Sequence, residues 1–459
     1  MTIWGSRPVA SARVRRGARS ALTLGVAIAA TLVAREGHAS PEDLFGYGPH
    51  SSAMGGTGAA SARGFEAAWA NPALLSRLRE RKLTLGYGGA AFGLATQAEG
   101  GERQARGTAA ARGVFIGVDL PLPFGGVLKD RLGVGLAFYT PSDIIVRGRL
   151  LYPEKPQFPL LGERAQSLTV RGGLGVDLSH GLRVGAGFAA LAEIVGDVLV
   201  ATDSSGRVGT RVEDQLVTTY APTVGATYDL PFWRGGRVGL TFRGTLDARF
   251  AITIDATKLS SLNIPVFNIS GLAQYDPSQI ALEVAHESDA RTVAFGATYK
   301  LWSRYKGPIE PTISCPPGEE GCGALVPAVV GYSNTLVVRA GLDEKVHIAP
   351  SAVGHLRAGA FFEGSPLPST LPSSDAFRFA DRTTGPVPTR YYDAARLAGT
   401  LGLGLSLKGP LPPIDLDMYT QLHFLMPRTM TSDLGDGSAE RTKVTGRVHV
   451  YGLLAGVRF

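Results

Sequence analysis

The feature that most limits what this chain can fold into is a two-residue rhythm sustained for ten residues or more at a time. Leu168, Val170, Leu174, Val176 and Leu178 alternate with Thr169, Arg171, Gly173, Gly175 and Asp177. Val238, Leu240, Phe242, Leu246, Phe250, Ile252 and Ile254 alternate with Gly239, Thr241, Arg243, Asp247, Arg249, Thr253 and Asp255. Leu401, Leu403, Leu405 and Leu407 alternate with Gly402, Gly404 and Ser406. Successive side chains of a strand point to opposite faces, so each segment has one oily face and one polar or small one. Strands of soluble sandwiches average about five or six residues. A tilted strand that crosses a bilayer needs roughly 9–11.

About fourteen such segments are expected, near 82–92, 112–120, 131–140, 166–178, 182–194, 218–230, 237–255, 279–286, 291–302, 333–345, 355–364, 396–408, 413–425 and 444–459. The links between them obey a parity. After even-numbered segments they are short, as at Ser179-His180-Gly181 or 231–236; after odd-numbered ones they are long, as at 141–165, 303–332 and 365–395. Outer-membrane barrels pair short periplasmic turns with long extracellular loops and use an even strand number. The expected fold is therefore all-β, a transmembrane antiparallel barrel over 82–459. An open sheet would leave backbone groups unpaired in hydrocarbon, which forces closure. The last segment ends at Phe459, in phase with Tyr451, Leu453, Ala455 and Val457. A terminal aromatic in this pattern resembles the signal read by barrel-assembly machinery, an expected partner together with outer-membrane lipids.

The N-terminus fits export. Arg13, Arg15, Arg16 and Arg19 precede an apolar stretch, Ala21 to Ala34, too short to span a bilayer, and Gly37-His38-Ala39 supplies small residues for cleavage after Ala39. Residues 1–39 are thus read as a signal peptide and the bacterial outer membrane as the destination. That segment holds six arginines against one glutamate, +5 of the net charge of +7, so a mature chain would carry +2. The basic balance therefore does not argue for nucleic acid as a partner. The two cysteines, Cys315 and Cys322, read as a small disulfide loop in an oxidising compartment.

Residues 40–81 do not alternate. They hold Met54-Gly55-Gly56-Thr57-Gly58 and, further on, Ala70-Asn71-Pro72-Ala73. A fourteen-stranded barrel has a lumen wider than its own side chains can fill, so this segment is expected to fold inside as a plug. Here the chain resembles the FadL-like outer-membrane transporters of long-chain fatty acids and hydrocarbons (the FadL/TodX type). The resemblance rests on those two motifs, on Leu356-Arg357-Ala358-Gly359 with Ser365-Pro366-Leu367-Pro368 downstream, on the strand count and on Phe459. It implies passive uptake of a hydrophobic small molecule by ligand binding and plug movement, with Gly55, Gly56, Asn71, Pro72 and Ala73 in the plug motif. The chain departs from the family in its loops, and its third segment shows no break where the family opens sideways.

Enzyme chemistry finds no foothold. Gly55-Gly56-Thr57-Gly58 lacks the following Lys-Ser/Thr of a phosphate loop, and the eight His show no paired-ligand spacing, so no metal site and no cofactor are expected. His423 shares a polar face with Asp417, Tyr419 and Gln421 and should face the lumen. Arg171, Arg243, Arg249, Arg339 and Arg357 share polar faces with Asp177, Asp247, Asp255, Asp343 and Glu363. They are read as ion-pair scaffolding for the plug. Arg171, Arg243, Arg339 and Arg357 are also the candidates to receive a carboxylate head group, since the guanidinium fork is bidentate and always charged. The alternatives are a structural or secretion-partner barrel without small-molecule transport, and an integral-membrane hydrolase.

Overall fold

Fourteen antiparallel strands form the wall: β1 (Lys82–Ala98), β2 (Ala111–Pro121), β3 (Leu132–Pro141), β4 (Thr169–Asp177), β5 (Leu182–Thr202), β6 (Val208–Asp229), β7 (Gly236–Arg243), β8 (Gln279–Glu287), β9 (Arg291–Lys300), β10 (Thr335–Ala349), β11 (Ala352–Glu363), β12 (Arg396–Leu407), β13 (Ile414–Asp433) and β14 (Ala439–Arg458). Each pairs with its neighbours in this order. The ladder between β1 and β14, from Lys82↔Arg458 to Ala98↔Thr442, closes the barrel. The computed structural model describes residues 41–108, 110–142, 153–161, 168–202, 208–258, 267–308, 327–378, 383–409 and 412–459. The expected signal peptide and the Cys315–Cys322 pair lie outside the described residues.

The wall carries the alternation read from the sequence. Leu85, Leu240, Leu282, Leu356, Leu401, Met418 and Leu453 project outward and are exposed, while their strand neighbours face in and are largely buried. Phe124, Phe232, Trp233 and Phe459 stand exposed at the short-turn end, with Tyr220, Tyr299 and Phe424 toward the other. An apolar outer band with aromatics at its rims is the surface of a barrel built for a bilayer.

The short–long parity holds, but among the described residues three of the long links are largely strand. β5 runs on to Thr202 and β6 starts at Val208, so the two make a hairpin that continues beyond the wall; β13 and β14 do the same. The seventh segment is a correction. It does not run unbroken through 237–255: the wall strand stops at Arg243, and Leu246–Lys258 leaves to pair with Phe267–Asp276 and, in parallel, with the upper part of β5. Pro222 is the cause. The Gly244 amide donates to the Pro222 carbonyl (2.8 Å), so Pro222 turns its backbone toward β7 and has no N–H to return. The hairpin beyond the break is itself β-structure, so the rhythm of the sequence crosses the break without a mark.

β3, the third wall strand, pairs with both neighbours without a register shift. The described part of the wall has no lateral break at this position.

The candidate site: a plug seated on a glycine track

Residues 43–78 fill the middle of the lumen as short turns: α1 (Pro41–Phe45), α2 (Pro49–Ala53), α3 (Ala67–Ala70) and two 3-10 turns, Gly64–Glu66 and Pro72–Arg77. Small residues let the plug backbone approach the wall, and glycines on the wall complete the fit. Inward-facing Gly185 on β5 has no room for a side chain: a Cβ there would stand 2.3 Å from Ala73 N and from the Pro72 carbonyl carbon. Gly225 on β6 meets Asn71 in the same way, Gly239 on β7 meets the Ala59 carbonyl, and Gly341 and Gly359 meet Met54 and Gly55. In the plug, Gly55 and Gly56 take φ of 69° and 72°, a region that favours glycine. A Cβ on Gly55 would also strike the Ala340 carbonyl oxygen at 2.6 Å.

Polar groups complete the seat. Glu283 on β8 accepts from the amides of Gly58 (2.6 Å), Ala59 (3.0 Å) and Ala60 (3.1 Å) and from the Ser61 hydroxyl (2.6 Å). Asn71 is fully buried. Its amide donates to the carbonyls of Ala59 (2.6 Å) and Ala226 (3.1 Å), and its Oδ1 accepts from Ala73 N, capping the turn that Pro72 opens. Gln421 donates to the Phe45 and Ser52 carbonyls, each at 2.8 Å. Within the plug, Glu66 accepts from His50 N, Ser51 N and Ser51 Oγ. Burial outweighs these bonds and pushes its carboxyl up to about 7. Burial and the nearby Arg63 guanidinium hold the His50 imidazole down near 3, so its 3.5 Å approach to Asp343 is the contact of a neutral ring.

The four candidate arginines all face inward, but the structure does not gather them at one point. Arg171 and Arg243 both lie over the Trp69 ring, at 4.5 and 3.8 Å from its centroid, and Arg243 also donates to Gln279 Oε1 (3.0 Å). Arg339 donates to the Gly55 carbonyl (3.2 Å) and covers Phe361. Arg357 donates to Asp417 (2.6 Å) and lies 3.6 Å from Asp343. Arg243 and Arg339 share one cavity of about 40 Å³ beside Trp69. His423 is buried in the lumen as expected, between Phe45 and Phe361, with Nε2 2.9 Å from Gln421 Oε1. The side chains of Arg249 and Asp255 lie outside the described residues. Sequence reasoning missed Lys300, fully buried and bonded to Asp43 (2.8 Å) and Glu363 (2.7 Å), whose other oxygen pairs with Arg396. It also missed Glu283. Both fall on the inward phase of their strands, and that phase was the available signal.

Beyond the plug, toward the long loops, the lumen turns apolar. Tyr275, Trp302, Tyr305 and Tyr332 form a chain of rings 4.3 to 5.0 Å apart. Phe158 packs on Tyr392 at 6.0 Å. These rings belong to one buried cluster that descends through Leu367, Met430, Leu425 and Val448 to Leu44, Phe45 and Tyr47 of the plug. On the short-turn side the character reverses. A cavity of about 320 Å³ there is lined by charged side chains such as Arg63, Arg77, Lys82, Asp119 and Arg458.

No family model matches the sequence, and a search of curated proteins finds no match. Among solved structures, the chain is similar to a Pseudomonas aeruginosa FadL homologue, with a TM-score of 0.58 at 16% identity over 90% of this chain and 97% of the other. It is also similar to the P. putida toluene transporter TodX, with a TM-score of 0.51 at 14% identity over 91% of this chain and 99% of the other. By fold, the chain is a plugged fourteen-stranded barrel of the FadL type.

Proposed function

We propose that this barrel takes up hydrophobic small molecules passively across the bacterial outer membrane. The observation that carries the reading is the apolar column from the long loops to the plug. A pore for water-soluble solutes keeps a polar lumen, whereas buried aromatic rings offer a dehydrated path to an oily ligand. The ligand would displace these side chains in turn. Any movement of the plug would begin at residues 43–47, which contribute Leu44, Phe45 and Tyr47 to the column and lie before the stretch seated on wall glycines. For a long-chain carboxylate, the cavity shared by Arg243 and Arg339 has room for a head group and not for a chain.

The test is uptake by a host lacking its own hydrophobic-compound channel. Expression of this protein should raise uptake of both toluene and a labelled long-chain fatty acid. Replacing Arg243 and Arg339 with glutamine should lower uptake of the acid and leave toluene unchanged. A parallel loss of both compounds would remove the head-group role. Absence of uptake for either compound would instead support a sealed structural barrel, a reading that the tight seating of the plug favours.

A further inference from the structure

On most of the wall the outward positions hold leucine, valine or aromatic side chains. The seam of β14, β1 and β2 departs from this toward the long-loop end. There β1 presents Gly89, Ala91 and Gly93, registered with Tyr451, His449 and Arg447 of β14, and Gly89 is also registered with Arg112 of β2. The arginines lie along the glycines. A Cβ built on Gly93 would stand 3.4 Å from Arg447 Cγ and 3.7 Å from its Nε; one on Gly89 would stand 3.2 Å from Arg112 Cγ and 3.2 Å from the Tyr451 hydroxyl. Arg112, Lys443 and Arg447 are exposed, and among the described residues none has a carboxylate partner.

Beside these cations a trough of about 1010 Å³ crosses the outer face from β11 to β1. Small residues, Ala358, Gly399 and Ala91, set its depth, and Leu401, Leu422 and Phe424 wall it. Its one polar pair is Thr420 Oγ1 with His449 Nε2, 2.9 Å apart. An oily trough lined at its end by the unpaired Arg447, with the exposed Arg112 across β1 from it, matches one chemistry, an acyl chain joined to a phosphate. Arginine binds phosphate through its planar fork, and the bilayer around a transmembrane barrel supplies such molecules in contact with this face.

We propose that the β14–β1–β2 seam docks an anionic lipid of the surrounding membrane, with its phosphate between Arg112 and Arg447 and an acyl chain in the trough. This rests on the barrel lying in a bilayer and not on the transport of any ligand, so the uptake assay and the test below can fail separately. The full chain, purified in non-ionic detergent, is mixed with dioleoyl phosphatidylglycerol or dioleoyl phosphatidylcholine, and bound lipid is counted by native mass spectrometry. Phosphatidylglycerol should be retained in preference. With each cation near an anionic membrane surface worth about fivefold in affinity, Arg112→Gln with Arg447→Gln should weaken retention by about 25-fold. Lys408→Gln, at an exposed lysine on the short-turn rim, should change nothing. Ala91→Phe keeps both charges and fills the trough, and it should also release the lipid. Equal retention of the two lipids, or undiminished binding by the double variant, would overturn the proposal. If the double variant fails to fold, the same measurement on the unaltered protein in about 1 M salt decides, because screening at that strength should strip a phosphate held by exposed charges.

Discussion

Gly185→Val should unseat the plug and make the barrel leak. The position tolerates no Cβ, because the plug backbone at Pro72 and Ala73 occupies that space at 2.3 Å. Nothing flexible stands in the way: both obstructing atoms are main chain, in a turn pinned by Asn71. Strand β5 cannot bend outward to make room, since its ladder to β4 is unbroken through this residue. Overpacking of this kind costs about 1–3 kcal/mol. At about 1.4 kcal/mol per tenfold, the ratio of seated to unseated plug falls by roughly 5- to 140-fold. In cells the readout is sensitivity to a bulky antibiotic that the outer membrane normally excludes; in planar bilayers it is a steady conductance. Valine suits a strand, so the wall should still assemble and migrate as a folded barrel on a gel. Unchanged antibiotic sensitivity in a folded Gly185→Val barrel would show that the plug is not held where the geometry places it.

Glu283→Ala should loosen the same plug from a second wall strand, β8, three strands along from β5. One carboxylate takes three consecutive backbone amides and a hydroxyl. Without it, the amides of Gly58, Ala59 and Ala60 are buried with no acceptor, at about 1–3 kcal/mol for each donor left unpaired. Relief from burying a charge offsets part of this loss. Glu283→Gln keeps one acceptor oxygen in place and should fall between the alanine variant and the unaltered protein. Limited proteolysis reads the outcome: the plug should be cut rapidly in the alanine variant while the wall persists. Equal plug lifetimes in all three proteins would mean that the seat is carried by packing alone.

The wall was legible in the sequence because a membrane barrel must repeat one simple pattern, and the plug because it breaks that pattern. The end of β7 was not legible, since the hairpin after Gly244 alternates as the wall does and the missing donor sits on a different strand, at Pro222. The arginines illustrate a second limit. Alternation shows which face Arg243 occupies but not that Trp69, far away in sequence, lies against it. The wall glycines illustrate a third. Gly185, Gly225 and Gly341 read as small residues on a polar face, and only the three-dimensional arrangement shows that each is a vacancy cut to fit a particular plug atom. Lys300 and Glu283 stood alone among apolar neighbours, without the local clustering that draws notice to a charged site.

The seam that closes the barrel joins its first strand to its last, and the Phe459 amide reaches back to the Arg81 carbonyl at 3.1 Å. The plug hangs from that same first strand by the three residues Arg79 to Arg81. Strand β1 is thus a shared hinge post: it carries the tether of the plug on one side of Lys82 and the closing ladder to β14 along its length, so a change that frays the seam near Lys82 also reaches the base of the plug.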